Sequence, residues 1–179
     1  DVYNRLLEAI STEDSPVSKH TLEILKENAD IAANNQEPIC QDTGMACIFV
    51  EIGQEVYVEG NLTEAINEGV RQGYTEGYLR KSVVDDPVFD RINTKDNTPA
   101  IIHYDIVPGD KLKITVAPKG FGSENMCQVK MLKPSDGIEG VKDFILKVVE
   151  DAGPNPCPPI VIGVGIGGTF DADDLTAKK

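Results

Sequence analysis

The chain has 179 residues, and its 17 lysines and arginines are outnumbered by 30 aspartates and glutamates, which gives a formal net charge of −13. An acidic surface of this kind argues against general nucleic-acid binding and against docking to an anionic membrane. No apolar run approaches the roughly 20 residues of a membrane-spanning helix, and no secretory signal opens the sequence. We therefore expect a single domain over residues 1–179, with no nucleic-acid or membrane partner.

Hydrophobic periodicity predicts an α/β fold, with a mixed α+β arrangement as the alternative, in which helices pack on a mixed sheet. Ser15-Pro16 is a typical helix start, and Asn61 or Thr63 can cap a later helix. In chain order, the pattern predicts a helix over 2–10, a second from Ser15-Pro16 to about residue 31, a strand over 46–52, a helix over 61–79, strands over 100–107 and 111–118, helices over 126–132 and 140–152, a short buried strand over 160–164 and a terminal helix.

The two strands of residues 100–107 and 111–118 flank a Pro108-Gly109-Asp110 turn. Apolar residues alternate at Leu112, Ile114 and Val116, as expected for a half-buried strand. A tight turn between two such runs predicts an antiparallel hairpin within the sheet.

The segment Cys40-Gln41-Asp42-Thr43-Gly44 combines a thiol, an amide, a carboxylate, a hydroxyl and a glycine between a helical and a strand-like region. Loops in such positions commonly display functional groups. Cys157, between prolines, precedes another apolar run. Two cysteines far apart in sequence, each before a predicted strand, indicate a shared thiolate site. Four cysteines in a domain of this size are also more typical of a cytoplasmic protein than of a secreted disulfide scaffold.

Several separated motifs resemble one family. They are the segment from Pro38 to Gly44, Gly122-Ser123-Glu124-Asn125-Met126, the segment from Lys130 to Gly137, and the segment from Cys157 to Phe170. Together they resemble the α-subunit, or N-terminal half, of the class I iron–sulfur fumarate hydratase and L-tartrate dehydratase family. The first residue is not Met and the chain stops within a helical pattern, so we expect a fragment of a longer polypeptide.

The resemblance implies a [4Fe-4S] cluster whose open iron binds substrate, with Cys40 and Cys157 as two of its three cysteine ligands and the third beyond Lys179. Cys127 is a possible neighbour or substitute ligand, and its position relative to the cluster stays open. Cys47 lies in an apolar run and is interpreted as a buried core residue. His20 and His103 offer no zinc-type spacing, so a structural zinc site is not expected.

Binding a small dicarboxylate requires a cation and amide or backbone donors. The resemblance places a substrate-binding arginine at Arg80, whose alternative role is to interact with a helix C-terminus; Lys81 is the neighbouring candidate. Gln41 can donate its amide to a carboxylate, and the backbone around Gly122 can cradle one. Asp42 is a candidate for proton transfer or for orienting water, but Asp-Thr-Gly equally favours a simple turn.

The predicted function is a hydro-lyase acting on fumarate and L-malate, with L-tartrate dehydration as the alternative. The resemblance implies an active site completed by a β-subunit or C-terminal domain, an oligomeric protein, and no activity of this chain alone. A rival from another class is a nucleotide-binding domain, because the run from Gly163 to Gly168 satisfies GxGxxG after a predicted strand. A binding module whose cysteines are all buried is a third hypothesis.

Overall fold

A computed structural model describes residues 2–178, apart from the side chains of Asp171, Asp173 and Asp174. Its elements confirm a mixed α/β fold. In chain order they are α1 (Val2–Thr12), α2 (Pro16–Asn35), β1 (Met45–Gly53), α3 (Leu62–Glu76), β2 (Ile101–Val107), β3 (Leu112–Lys119), α4 (Phe121–Glu124), a 3₁₀ turn (Pro134–Asp136), α5 (Gly137–Ala152) and α6 (Phe170–Lys178).

The helix-start signals in the sequence act as expected. Ser15 caps α2, since its Oγ accepts the Ser18 N–H at 3.5 Å, and Pro16 occupies the first turn. Asn61 caps α3 by accepting the Glu64 N–H at 3.2 Å. Each cap satisfies a backbone donor that has no partner inside the helix, so local chemistry alone fixes where these helices begin.

The sheet has the strand order β2-β1-β3, with β1 parallel to β2 and antiparallel to β3. Both predicted strands of the hairpin exist, but the prediction that they pair with each other is wrong, because β1 lies between them. The expectation of a half-buried strand is also wrong for β3, since Leu112, Ile114 and Val116 are 41%, 46% and 60% exposed. Alternation identifies a strand from its own side chains and carries no information on which neighbour fills the space beside it.

The short connection from β2 to β3 passes over the end of β1. Flanking strands on either side of a central one lie about 10 Å apart, a span that a few extended residues cover. Gly53, the last residue of β1, donates its N–H to the Lys111 carbonyl at 2.9 Å. A Cβ on Gly53 would come within 2.3 Å of the Gly109 carbonyl oxygen. Glycine at this position is therefore what lets the connection cross the strand so closely.

The core forms where α3 covers one face of the sheet. Five partly buried side chains pack around this core: Ile52, Leu62, Ile66, Leu79 and Ile102. The loop before β1 and the segment after α3 are therefore both attached to elements of the same core. Its buried members are Ala46, Ile48 and Val50 of β1, Val70 and Tyr74 of α3, and Ala100.

The chain divides into two compact units. The first comprises Asp1–Gln41 with Cys157–Val161, and the second comprises Asp42–Pro156 with Ile162–Lys179. In the first unit α1 and α2 contact each other, and the Tyr3 hydroxyl donates to Asp30 Oδ1 at 2.8 Å. That residues 1–179 form a single domain stays a prediction.

Two predicted elements are absent from the described residues. The helix over 126–132 does not form, because the last bonds of α4 are tight i→i+3 contacts, from Met126 N–H to Ser123 O and from Cys127 N–H to Glu124 O. The buried strand over 160–164 is also wrong: this segment is irregular, and its Val161 is 86% exposed. An apolar run thus did not suffice to predict burial.

Across residues 2–178 no helix is both long enough and apolar enough to span a bilayer.

Candidate functional site

Cys40 and Cys157 line one cavity of about 300 Å³ in the first unit, which we call the cysteine cavity. The segment before Cys40 is held by α2, whose Asn28 amide donates to the Ile39 carbonyl at 2.8 Å. Gln41 is part of the same wall, and the Cys40 thiol donates to its Oε1 at 3.4 Å. The complete lining is Asn28, Ile39, Cys40, Gln41, Cys157, Pro158 and Pro159.

The backbone of Cys157 is held in the left-handed region, with φ at +58°. Residues with a β-carbon seldom adopt this conformation, and where they do it is often at a functional site. Cys157 is exposed and Cys40 is half-buried, and both are thiols, not disulfide partners. An exposed thiol gains nothing in packing from a strained backbone, so this conformation of Cys157 indicates a functional role in the cysteine cavity.

The donor set of the cysteine cavity fits part of an iron–sulfur site. Thiolates are the ligands that iron–sulfur clusters take. The cysteine cavity has two of the three cysteines that are expected for a cluster with an open iron. No group of three or more metal-ligating side chains occurs among the described residues. The two cysteines could therefore hold such a cluster only together with a ligand from elsewhere.

Asp42 belongs to the second unit, where its carboxylate organises a loop, Asp42–Gly44, which we call the Asp42 loop. Its Oδ1 accepts the Gly44 N–H at 3.0 Å, the short-range contact expected of an Asx turn. Its Oδ2 accepts the N–H groups of Phe121 at 3.0 Å and of Gly122 at 3.4 Å. The carboxylate thus connects the Asp42 loop to the beginning of α4, which the sequence did not reveal.

Gly122 lies where a side chain would not fit. A Cβ at this position would be 2.6 Å from the Asn155 carbonyl oxygen. In this structure the carboxylate of Asp42 accepts the N–H groups of Phe121 and Gly122. The assignment of Gly122 to substrate binding stays a prediction.

An ion-pair cluster supports the end of α4. Lys119 donates to Ser123 Oγ at 2.7 Å, and Lys178 donates to Glu124 Oε1 at 2.7 Å. Burial by itself would raise the pKa of Glu124, but the ammonium groups of Lys178 and Lys119 outweigh it and lower that pKa. Glu124 consequently stays ionised. Its ion pairs connect α4, whose first N–H groups donate to Asp42, to β3 and α6.

Arg80 is exposed and follows α3. Its carbonyl accepts the Thr43 hydroxyl at 3.1 Å, which connects it to the Asp42 loop. Among the described residues its guanidinium has no hydrogen bond or ion pair. The alternative role, a charge interaction of Arg80 with the C-terminal end of α3, needs no such contact and stays a prediction. A cation of this kind, next to a fixed carboxylate loop, is available to an anionic ligand.

Sequence reasoning missed Asn97 and Tyr74, which hold the same region. Asn97 is fully buried and bonded to backbone groups on two segments, and the Tyr74 hydroxyl lies 3.1 Å from the Thr43 carbonyl and 3.2 Å from that of Gly44. Burial raises the pKa of Tyr74, so its hydroxyl remains a donor. Asn97 lies in residues 85–99, a polar stretch rich in turn-forming residues, in which nothing in the sequence marks a buried side chain.

The other two cysteines and both histidines do not line the cysteine cavity. Cys47 is 4% exposed within β1, as its core interpretation predicted. Cys127 is exposed, with its Sγ 3.5 Å from the Ser123 carbonyl, and it is not part of the cysteine cavity lining. His20 is exposed on α2, and His103 stacks on Phe49 with ring centroids 5.3 Å apart.

The glycine run from Gly163 to Gly168 lacks the strand that a dinucleotide fingerprint requires, since the described residues before it are irregular. A Cβ on Gly163 would come within 1.9 Å of the Ala177 carbonyl oxygen. Close approach of the backbone to α6 explains this glycine without a phosphate.

Comparison with known proteins agrees with the motifs. The family model described as fumarate hydratase (Fumerase) matches residues 1–179. The putative L(+)-tartrate dehydratase subunit alpha of Methanocaldococcus jannaschii is 45% identical over the whole chain, which covers 65% of that protein. The L(+)-tartrate dehydratase subunits alpha of Escherichia coli strains UTI89 and K12 are 31% and 30% identical, and the chain covers 60% of each. The chain thus spans less than two thirds of these relatives, and it belongs to the fumarate hydratase (Fumerase) family.

Proposed function

We propose that the protein to which this chain belongs is a hydro-lyase that removes water from a small hydroxy-dicarboxylate. The observation that carries the proposal is the cysteine cavity, in which Cys40, Gln41 and Cys157 meet although Cys157 is far from the other two in sequence. Two thiols that line one cavity, in a chain of the fumarate hydratase family, favour an iron–sulfur enzyme over a nucleotide-binding domain or a module with buried cysteines.

For the substrate, the names of the relatives favour L(+)-tartrate, and L-malate is the second candidate. The sequence motifs alone ranked L-malate first. Matches of 45% and 31% identity to proteins named tartrate dehydratase reverse that order in the proposal. Both substrates carry two carboxylates and a hydroxyl as leaving group, so the same binding groups serve either one.

In the proposed mechanism, the residues of this chain bind and orient. Arg80 pairs with one substrate carboxylate, for which its guanidinium offers two parallel donors. Gln41 donates its amide to a carboxylate oxygen. Asp42, held by backbone N–H groups, orients a water molecule or the substrate hydroxyl. Cys40 and Cys157 would hold a [4Fe-4S] cluster, which when bound supplies a Lewis acid for the leaving hydroxyl.

The proposal requires contributions from outside these residues. A three-cysteine set needs one thiolate more than the cysteine cavity offers, and we assign it to the part of the relatives' length that this chain does not span. The relatives are named alpha subunits, so we propose a β-subunit or a further domain as partner, supplying the catalytic base. The isolated chain should accordingly be inactive.

The test is anaerobic dehydration of L(+)-tartrate and of L-malate by the full-length subunit with its partner, after reconstitution with iron and sulfide. Turnover of tartrate supports the first substrate, and turnover of malate alone supports the second. Failure on both, with the characteristic cluster absorption present, would overturn the proposed substrates. Failure to incorporate iron at all would overturn the enzyme class.

A further inference from the structure

Asn97 is buried completely and yet carries an amide, which makes it unusual among the core residues of the second unit. Its Oδ1 accepts the N–H groups of Ser82 at 2.8 Å and Val83 at 3.1 Å. Its Nδ2 donates to the Gly44 carbonyl at 2.9 Å. Three of the four hydrogen bonds that an Asn side chain can make are thus directed at backbone groups.

The backbone of Asn97 also departs from the common conformation, with φ at +63°. Asn adopts this left-handed region more readily than other residues with a side chain. The turn is anchored from both sides: Asp96 Oδ1 accepts the Thr98 N–H at 3.0 Å, and Asp96 Oδ2 accepts Arg71 Nε at 2.9 Å. The amide of Asn97 is therefore held by its neighbours and by α3.

The two segments joined by Asn97 are those that carry candidate binding groups. Gly44 closes the Asp42 loop, and Ser82 lies two residues after Arg80. A second connection runs in parallel, from the Thr43 hydroxyl to the Arg80 carbonyl at 3.1 Å. Tyr74, from the buried face of α3, donates to the carbonyls of the Asp42 loop.

We propose that Asn97 is a positioning residue: by bridging Gly44 to Ser82 and Val83, it fixes the backbone from which Arg80 reaches the substrate carboxylate. This inference rests on the proposed function of Arg80. A buried amide has few alternative partners, so loss of the bridge leaves backbone groups of both segments unsatisfied. The Arg80 backbone then loses its fixed place beside the Asp42 loop, although no group that touches substrate has been altered.

The test uses the full-length subunit with its partner, reconstituted anaerobically, and the variant Asn97→Gly. Glycine keeps the left-handed backbone and removes the amide. We expect KM for the dicarboxylate to rise about tenfold, as expected when a bound group is no longer held in place, while kcat falls less. Hydrogen exchange should accelerate together in peptides covering residues 42–45 and 80–84, with little change in those covering β3.

The matched control is Asn67→Ala. Asn67 lies on α3 in the same unit, and its Oδ1 accepts the Ala100 N–H at 2.8 Å, so this variant also leaves a backbone donor unsatisfied. It should lower the melting temperature while KM is unchanged. Tyr74→Phe, which removes the hydroxyl that contacts the Thr43 and Gly44 carbonyls, should raise KM by a smaller factor than Asn97→Gly.

The outcomes separate the two hypotheses. Asn97→Gly with a lower melting temperature and an unchanged KM would overturn the positioning role and leave the proposed function intact. Inactivity of the wild-type enzyme on both hydroxy-dicarboxylates would overturn the proposed substrates, and with them the role of Arg80 on which this inference rests. A rise in KM for Asn97→Gly that is matched by Asn67→Ala would reduce the effect to general destabilisation, which also contradicts the inference.

Discussion

The cysteine cavity and the Asp42 loop differ in what their polar groups face. In the cavity, two thiols and the Gln41 amide border a space of about 300 Å³. At the Asp42 loop, the carboxylate and the carbonyls are engaged by backbone N–H groups and by the side chains of Tyr74 and Asn97.

The chain by itself completes the geometry of the Asp42 loop but not that of the cysteine cavity. A carboxylate that accepts several backbone N–H groups has its geometry fixed before any ligand arrives. Thiols around a space offer soft donors whose geometry a bound metal group would complete. We therefore assign chemistry to the cysteine cavity and orientation of the substrate to the Asp42 loop.

The largest expected effect is on the cysteine cavity. Cys40→Ala and Cys157→Ala, made in the full-length subunit with its partner, should each abolish the cluster absorption. Turnover should fall by about a thousandfold or more, because Lewis-acid catalysis contributes several kcal/mol. Cys127→Ala is the control and should retain both. Retention of cluster and activity in Cys40→Ala would remove chemistry from this cavity.

Arg80 comes next, because its backbone contacts the Asp42 loop and, among the described residues, its guanidinium has no ion pair. Arg80→Ala should raise KM for the dicarboxylate by about 10- to 100-fold, since a hydrogen bond to a charged group contributes about 1.5–3 kcal/mol. Arg80→Lys keeps the charge but not the paired donors, so it should restore only part of the affinity. Arg91→Ala, an exposed arginine of the same unit, is the control and should leave KM unchanged. Equal KM values in both alanine variants would contradict a binding role for Arg80.

Asp42 can be compared with another aspartate that accepts backbone N–H groups. Asp42→Asn places an amide opposite the N–H groups of Phe121 and Gly122, which should cost about 1–3 kcal/mol in the free energy of unfolding. Asp86 accepts only near neighbours, the N–H groups of Val88, Phe89 and Asp90, so Asp86→Asn should cost less. Chemical denaturation measures both. Equal costs would show that the long-range contacts of Asp42 add nothing to the stability of the Asp42 loop.

The smallest effect concerns pH and the turn that holds Asn97. Hydrogen bonds from Thr98, with a further contribution from Arg71, lower the pKa of Asp96 from 3.8 to about 2. Because the pKa is lower in the folded state, the stabilisation is complete above pH 3.8 and is lost as the pH falls towards 2. The difference in unfolding free energy between the apo wild type and Asp96→Asn should shrink over that interval. A difference that does not vary with pH would remove Asp96 from the account.

Local chemistry explains how much of the fold was predictable. Ser15 and Asn61 cap helices through atoms a few residues away, so the sequence contains all that is needed to place α2 and α3. The strands around residues 101–107 and 112–119 were visible for the same reason. Their pairing was not, because the insertion of β1 between them depends on contacts far along the chain.

The candidate site likewise has a part that the sequence predicts and a part that depends on the folded chain. Which residue types are available can be read from the sequence: the thiols of Cys40 and Cys157, the Asp42 turn and the cation at Arg80. Their surroundings follow from the folded chain, since a shared cavity and a buried bridge such as Asn97 depend on the arrangement of distant segments. The two differ in how far apart along the chain the interacting residues lie. Caps and turns form between residues a few positions apart, whereas burial and cavity formation depend on the packing of distant segments.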